Sequence, residues 1–303
     1  MPWNTDVAEL EPGDVVIEAF GCRIPEPYVH AMASRARAPV WINLEYLSAE
    51  TWIESCHGLP SPDPGSGLVK FFFFPGFAAN TGGLIRESTY ASVAQSLASA
   101  ERRLSFLSSI GVSEVTNRDL PVSVFCYPGS PLDRLIALGE RTWPLGRRPM
   151  WLLAESVATE YAALIRAPGS RVHVIPMLQQ DDYDRLLLSC EINIVRGEDS
   201  FVRAQWTGKP FIWQAYRQDE AAHRAKVDAF LSRYLSTAPL PVADAVSAVY
   251  SAWNGFQALD DLAWSGYCRH LPAIIEHGRG WTAHLGTLGN LAERLVDFCE
   301  SRL

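Results

Sequence analysis

Along the first hundred residues, short apolar runs alternate with segments whose apolar residues recur every three to four positions, as on one face of a helix. The runs at residues 14–20, 39–44 and 70–74 have the length and composition of buried strands. Helical spacing follows the first two runs, at residues 26–35 and 49–56. Strands that alternate with helices indicate a parallel sheet. Because a doubly wound dinucleotide-type domain uses about six strands, these three predict an incomplete N-terminal domain.

A second and fuller series of strands and helices follows. The pattern of residues 88–111 first predicts one long helix that ends at a glycine cap. The strands predicted after it are residues 122–127, 150–153, 172–177, 192–195 and 210–213, and the helices are residues 131–141, 156–165, 183–190 and 198–206. This order predicts a nearly complete Rossmann-like unit.

The two series predict an α/β protein with three regions. Residues 1–115 form a partial N-terminal Rossmann-like domain, and residues 116–285 form a C-terminal Rossmann-like domain. Beyond residue 219 the spacing is helical only, so this part is expected to pack around the second sheet or to cross back onto the first domain. Residues 286–303 are predicted to be a C-terminal helix.

Composition and charge narrow the class of protein. The chain has 303 residues, of which 48% are hydrophobic and 20% charged, as in an ordinary globular enzyme. The net charge of −8 argues against binding to nucleic acid or to an acidic membrane surface and favours a basic protein partner. No apolar stretch reaches membrane length, and residues 1–14 lack a basic region followed by an apolar one, so we expect neither a membrane span nor a signal peptide. Six scattered cysteines without a CxxC pair indicate a reducing compartment, so we expect a cytoplasmic protein.

The clearest candidate site follows the predicted strand at residues 192–195. An Arg196-Gly197 turn leads there into a helix that opens with Glu198, Asp199 and Ser200. A helix N-terminus offers unpaired N–H groups and partial positive charge to a diphosphate, and Arg196 adds a full charge. Carboxylates beside it suit sugar hydroxyls, so the pattern predicts a nucleotide-sugar site. The alternative interpretation is that Asp199 or Ser200 only caps the helix.

Two further residues are expected at the same edge of the sheet. Gln180 follows the predicted strand at residues 172–177 and has the amide groups to read a pyrimidine edge. Tyr127 ends another strand and can stack on a base or donate to a phosphate. In the alternative interpretation Asp181 or Asp182 is a helix N-cap, and Tyr127 is a core tyrosine.

The first domain offers weaker candidates for an acceptor site. Asn43 and Glu45 end the strand at residues 39–44, and Glu45 can bind a cationic acceptor; the alternative is that both satisfy local backbone groups. Gly82 and Gly83 lie in a long loop that we expect to face a cleft. The seven histidines show no zinc-site spacing, which predicts no metal. The GxSxG, GxxxxGK[ST] and GxGxxG motifs are absent, which disfavours hydrolases, P-loop kinases and NAD dehydrogenases.

Several segments of the chain resemble one known family. The segments are PVWINLEYLSAETW at 39–52, CHGLPSP at 56–62, KFFFFPGF at 70–77, TGGLIRE at 81–87, DDYDRLL at 181–187 and VRGEDSFVRAQWTGKPFIW at 195–213. They closely resemble the elongation factor P arginine rhamnosyltransferases, called EarP. The resemblance implies a GT-B glycosyltransferase with two facing Rossmann-like domains. It also implies dTDP-rhamnose as donor, an arginine of elongation factor P as acceptor, inversion at the anomeric carbon, and neither metal nor cofactor.

Residue by residue, the resemblance assigns a donor site. It places Gln180 beside the thymine, Tyr127 near the nucleotide, and Arg196, Glu198, Asp199 and Ser200 around the sugar and diphosphate. Glu198 matches a glutamate that is essential in the family, and Arg196 would stabilise the negative charge that grows on the diphosphate. Met177 stands where the family usually has a phenylalanine that stacks on thymine, which predicts a lower donor affinity.

A second departure concerns the acceptor side. The family opens with a glycine-rich loop whose aspartates supply the general base, and this sequence has no such motif. Because a protonated guanidinium is a poor nucleophile, we expect a fragment with little or no transferase activity, in which Glu18 or Glu45 is the substitute base to consider. The alternatives are a module that binds the donor or elongation factor P without turnover, and a GT-B transferase for another nucleotide sugar.

Overall fold

The structure is a computed structural model that describes residues 10–112, 115–217 and 222–303. The chain divides into two compact units, Met1–Ile85 with Leu285–Leu303, and Arg86–His284. Each unit holds one sheet, in which most neighbouring strands are parallel. The expected α/β class is therefore confirmed.

The first unit is built on a sheet of four strands with helices on it. The strands are β1 (Val15–Ala19), β2 (Val40–Leu44), β3 (Pro60–Pro62) and β4 (Val69–Phe73), in the order β1-β2-β4-β3, and the helices that come between them are α1 (Glu26–Ala33) and α2 (Ile53–Cys56). The three parallel strands match the three apolar runs, because each run supplies the buried side chains of one strand.

Strand β3 was not predicted from the pattern. It pairs antiparallel with β4, with Pro60 opposite Phe71 and Pro62 opposite Val69. Proline lacks the N–H that a central strand needs, so a Pro-Ser-Pro segment is typical of a loop. Here β3 lies at the edge of the described sheet, where a strand pairs on one side only and tolerates proline.

The second unit is a larger α/β layer structure. Its strands are β5 (Asp119–Val124), β6 (Arg148–Ala154), β7 (Val172–Ile175), β8 (Ile192–Arg196) and β9 (Phe211–Gln214). Its helices are α3 (Tyr90–Ser96), α4 (Ala100–Ser109), α5 (Leu132–Gly139), α6 (Glu155–Ala158), α7 (Ala162–Arg166), α8 (Gln180–Ser189), α9 (Asp199–Trp206), α10 (Ala222–Tyr234), α11 (Leu240–Trp253) and α12 (Asp261–Leu285), whose last residue falls in the first unit. The parallel strands are ordered β7-β6-β5-β8-β9, as the Rossmann-like pattern requires.

The helix predicted over residues 88–111 is two helices, α3 and α4. The break falls at Ser99, whose side chain accepts a hydrogen bond from the Arg102 backbone N–H at 3.3 Å and so caps α4. Both helices pack against α8 of the second unit, which therefore starts at Arg86 rather than at the expected boundary after residue 115. The helix predicted over residues 156–165 is likewise two short helices, α6 and α7.

The C-terminal region is helical, as its spacing predicted, in the part that the structure describes. Helix α13 (Leu291–Glu300) belongs to the first unit. Its Phe298 ring meets Phe71 at 5.8 Å and Phe73 at 5.4 Å between ring centres. Among the described residues, none of the helices combines the length and apolar character that crossing a bilayer requires.

Candidate functional site

A cavity of about 550 Å³ opens in the second unit, where its parallel strands end. The residues that follow β5, β6, β7 and β8 form its walls, together with the first residues of α6, α8 and α9. This is the edge of an open parallel sheet at which ligands bind. All seven residues predicted for the donor side line this one cavity: Tyr127, Met177, Gln180, Arg196, Glu198, Asp199 and Ser200.

The turn between β8 and α9 brings the backbone close to the cavity. Gly197 has a φ of +65°, and a Cβ placed there would lie 3.3 Å from the Tyr127 hydroxyl. The Gly197 carbonyl accepts a hydrogen bond from the Trp213 Nε1–H at 2.8 Å, which holds the turn against β9. Glycine is required here because the left-handed backbone and the close tyrosine both disfavour a side chain.

Helix α9 points its N-terminus at the cavity. Glu198 occupies the N-cap position, and its side chain makes no capping bond. The Ser200 hydroxyl accepts from the Arg196 backbone N–H at 3.1 Å and donates to the Arg196 carbonyl, so Ser200 closes the turn and neither Ser200 nor Asp199 is the N-cap. The first N–H groups of a helix have no partner within it, and they carry partial positive charge. The cavity therefore has one end suited to an anion.

Arg196 adds a full positive charge to this end. Its guanidinium carbon lies 4.1 Å from the centre of the Phe125 ring and 4.6 Å from that of Tyr127. Stacking on two aromatic rings fixes the orientation of the guanidinium and leaves its edge donors for a ligand. Glu198 and Asp199 line the same cavity, so cationic and anionic groups stand side by side.

Tyr127 is half-buried, and contacts of both its backbone and its ring hold it in place. Its backbone N–H donates to Gln214 Oε1 at 2.7 Å, and its ring meets Tyr216 at 5.5 Å between ring centres. Burial raises the pKa of the Tyr127 hydroxyl, which therefore stays protonated at neutral pH and able to donate. Tyr127 lines the cavity, so the alternative of a core tyrosine is wrong.

Met177 and Gln180 form the wall after β7. Met177 is 79% exposed, so its thioether is available for contact with a ligand. Gln180 begins α8, with Gln179 at the N-cap, so neither Asp181 nor Asp182 caps this helix as the alternative interpretation proposed. Asp182 instead forms a surface ion pair with Arg185 at 2.6 Å.

A buried ion cluster beside the cavity was missed in the sequence. Arg203, one turn into α9, is 3% exposed, and its guanidinium meets the carboxylates of Glu87, Asp184 and Asp199. Burial lowers the pKa of Arg203, but the hydrogen bonds that Arg203 donates to Glu87 and Asp184 outweigh this effect and hold that pKa above its usual value. Burial also raises the pKa of Asp184, and Arg203 offsets only part of this effect. For Glu87, burial is outweighed by Arg203, and the pKa is lowered.

Other lining residues also escaped the sequence analysis. Phe125, Glu155, Ser156 and Tyr183 line the cavity. The signal that could have found Glu155 and Ser156 is their place directly after β6, at the same edge of the sheet as the predicted residues. No comparable local signal marks Tyr183, whose position depends on how α8 packs.

The acceptor-side candidates lie in the first unit and do not line this cavity. Asn43 accepts a hydrogen bond from the backbone N–H of Gly21, 22 residues earlier in the chain, at 3.3 Å and donates one to Glu45 Oε1 at 2.5 Å. Its backbone partner is therefore not local in sequence, and its second partner is a side chain. Glu18 is 3% exposed and accepts from Lys70 Nζ at 2.9 Å.

Gly82 and Gly83 are packing positions rather than an exposed loop. Both are buried, although we expected them to face a cleft. A Cβ on Gly82 would lie 2.5 Å from the Phe73 ring, and one on Gly83 would lie 2.4 Å from the Gly289 carbonyl. Two chain segments approach here more closely than any side chain allows. Among the described residues, no group of three or more histidine, cysteine, aspartate or glutamate side chains is placed to hold a metal ion.

Comparisons with known proteins identify the family of this chain. Residues 1–300 match the family model described as Elongation-Factor P (EF-P) rhamnosyltransferase EarP. A protein-arginine rhamnosyltransferase of Pseudomonas putida is 42% identical over 99% of this chain and 82% of its own length. The protein of the same name from Pseudomonas aeruginosa is 41% identical over 98% of this chain and 81% of its own.

A solved structure is similar as well. It is described as the structural basis for EarP-mediated arginine glycosylation of translation elongation factor EF-P, and it is 32% identical to this chain with a TM-score of 0.64. The match covers 77% of this chain and 76% of that one. The family model, the two relatives and the solved structure show that the chain belongs to the EarP family of protein-arginine rhamnosyltransferases, which are glycosyltransferases.

Proposed function

We propose that the cavity of the second unit binds dTDP-rhamnose and that the protein transfers the rhamnose to an arginine of elongation factor P. The observation that carries the donor assignment is the convergence of Arg196 and the N-terminus of α9 in one cavity with the predicted donor-side residues. The acceptor assignment is supported by the similar solved structure, whose description concerns arginine glycosylation of EF-P.

The chemistry of the cavity suits the three parts of this donor. Arg196 and the first N–H groups of α9 face the diphosphate, because both carry positive charge. Gln180 and Met177, at the wall after β7, face the base, where the amide reads its polar edge and the thioether contacts its ring. Glu198 and Asp199 accept hydrogen bonds from the sugar hydroxyls.

Transfer then depends on charge that develops during the reaction. The bond between the anomeric carbon and the diphosphate oxygen breaks as the guanidine nitrogen attacks, and negative charge grows on the departing diphosphate. Arg196 and the N–H groups of α9 are already oriented toward that charge, so they stabilise the transition state more than the bound donor. We propose that these groups do this without a metal ion or cofactor.

The acceptor arginine must also lose a proton. Its guanidinium is protonated at neutral pH, so a carboxylate has to accept the proton or polarise the nitrogen. Of the two carboxylates considered as substitute bases, Glu18 is buried against Lys70, whereas Glu45 is only half-buried. Glu45 is therefore the first carboxylate to test.

A second function is favoured by the pairing of these same carboxylates. Glu45 accepts a hydrogen bond from Asn43 at 2.5 Å, and Glu18 accepts one from Lys70 at 2.9 Å. A carboxylate oxygen that already accepts a hydrogen bond has to give up or share that bond before it can accept the proton of a guanidinium. The alternative function is thus donor binding without turnover.

Intact mass spectrometry of elongation factor P, after incubation with this protein and dTDP-rhamnose, separates the two functions. A parallel thermal-shift titration compares dTDP-rhamnose with UDP-sugars. A gain of one deoxyhexose supports the transferase, and its loss in Glu45→Gln but not in the control Glu50→Gln assigns the base. Stabilisation by dTDP-rhamnose without transfer supports the alternative. Stabilisation by UDP-sugars alone would overturn the donor assignment.

A further inference from the structure

One buried arginine connects three segments around the cavity without lining the cavity itself. The Nε of Arg203 lies 3.1 Å from each carboxylate oxygen of Asp199, on its own helix α9. Its Nη1 donates to both oxygens of Asp184 on α8, at 2.9 and 2.8 Å. Its Nη2 donates to Glu87, which precedes α3. The guanidinium is therefore the common partner of three carboxylates on three segments.

Gln180 completes this arrangement. With its amide oxygen turned toward the guanidinium, the orientation that satisfies both groups, Gln180 accepts from Arg203 Nε at 3.2 Å and also from Nη2. Gln180 and Asp199 line the cavity, whereas Arg203, Asp184 and Glu87 do not. Any influence of Arg203 on a ligand therefore passes through Gln180 and Asp199.

The restraint on Asp199 bears on the groups that face a diphosphate. An aspartate in the first turn of a helix readily accepts hydrogen bonds from the free N–H groups of that turn. Asp199 occupies the first turn of α9 and is 63% exposed at its side chain, so without its partner its carboxylate is free to do so. Both of its oxygens instead face Arg203 Nε, and the N–H groups of the turn stay available.

We propose that Arg203 is a positioning residue of the donor site, which holds the Asp199 carboxylate away from the N-terminus of α9 and fixes the Gln180 amide at the cavity wall. Asp184 and Glu87 anchor the guanidinium from the other side. A planar fork with five N–H groups reaches these partners together, with the single Nε–H shared between Asp199 and Gln180, and a lysine ammonium does not. The inference rests on the proposed donor for the identity of the ligand.

Three variants test this role. Arg203→Lys keeps the charge but removes the fork. Glu87→Gln weakens the anchor from its exposed end, where the Glu87 side chain is 38% exposed, and is the milder variant if Arg203→Lys does not fold. Arg185→Lys is the matched control, since Arg185 lies on α8 in an ion pair with Asp182 that is partly exposed.

The affinity for dTDP and for dTDP-rhamnose is measured by calorimetry at a temperature where each variant is folded. We expect Arg203→Lys to weaken both by about tenfold or more, as a displaced binding group does. Glu87→Gln should weaken them by about threefold, as an ion pair near the surface would. Arg185→Lys should leave them unchanged. Affinities unchanged in Arg203→Lys or, where that variant does not fold, in Glu87→Gln would reduce Arg203 to a structural role and overturn the proposal.

A second readout does not depend on the donor. The side-chain amide of Gln180, followed by ¹⁵N NMR without ligand, should shift and sharpen toward its solvent position in Arg203→Lys and to a smaller extent in Glu87→Gln, but not in Arg185→Lys. An unchanged Gln180 amide in both test variants would overturn the proposal. If the unmodified protein binds no dTDP compound, the proposed donor fails while this spectrum still decides whether Arg203 holds Gln180.

Discussion

Replacement of Arg196 by methionine should remove most of the charge stabilisation in the cavity while the fold persists. The guanidinium loses its stacking on Phe125 and Tyr127, at 4.1 and 4.6 Å, and two such contacts at a partly exposed site are worth about 1 to 2 kcal/mol of stability. The effect on transfer should be larger. A charge about 4 Å from a developing anion contributes about 4 kcal/mol near a protein surface, and loss of one oriented donor costs about 100- to 1,000-fold in kcat.

The assay for this variant is the initial rate of deoxyhexose transfer to elongation factor P, or the affinity for dTDP if the unmodified protein binds without transfer. Urea unfolding of the same samples gives the change in stability. Arg185→Met is the control, because it removes an arginine from the surface of α8. A kcat/KM, or a dTDP affinity, within about threefold of the unmodified protein would refute the argument that Arg196 faces the diphosphate.

Three more measurements test other parts of the structure. Gly197→Ala should lose about 1 to 2 kcal/mol in urea unfolding, because alanine must adopt a φ of +65° and its Cβ approaches the Tyr127 hydroxyl; an unchanged midpoint would contradict the geometry of this turn. Burial, aided by the charge of Arg294, lowers the pKa of His57 below 6.5. Between the pKa of the folded state and 6.5, the unfolded state therefore binds more protons than the folded state. The contribution of His57 to the free energy of unfolding is thus full above pH 6.5 and falls as the pH drops through that range. His57→Gln, whose amide oxygen can still accept from the Phe74 N–H as His57 Nδ1 does at 3.0 Å, should show a weaker fall between about pH 7.5 and about pH 5; an equal fall would place the titration elsewhere. A chelator should leave the affinity for dTDP-rhamnose unchanged, since Arg196 and the N-terminus of α9 supply the positive charge. If the chelator abolished binding and added Mg²⁺ restored it, a metal ion would be required instead.

The donor-side residues were predictable because parallel strands end at one edge. Tyr127, Gln180 and Glu198 lie far apart in the chain, yet each follows a strand that the apolar runs identify, and the sheet brings these ends together. The Arg196-Gly197 turn was predictable for a similar local reason, since a glycine between a strand and a helix marks a close backbone approach.

What the sequence did not reveal depends on contacts between distant segments. Arg203 contacts Glu87, which lies 116 residues away in the chain, and no local sequence pattern near either residue predicts this pair. Gly82 and Gly83 stand in a polar, turn-rich segment that is typical of a surface loop, and the close approach of the Gly289 carbonyl to Gly83 does not show in that local pattern. Strand β3 and the break at Ser99 were missed because a paired edge strand and a capped helix start depend on neighbours that periodicity does not show.

The C-terminal helix makes the first unit discontinuous, and this affects how the protein is made. The strands β1 to β4 leave the ribosome before α13, so the faces of Phe71 and Phe73 that contact Phe298 stay uncovered until Phe298 has been synthesised. The second unit is continuous and can complete its core while synthesis is still under way. The first unit therefore completes its fold after the second unit, although its strands are synthesised earlier, and a nascent chain stalled near residue 284 would expose aromatic surface to chaperones and proteases.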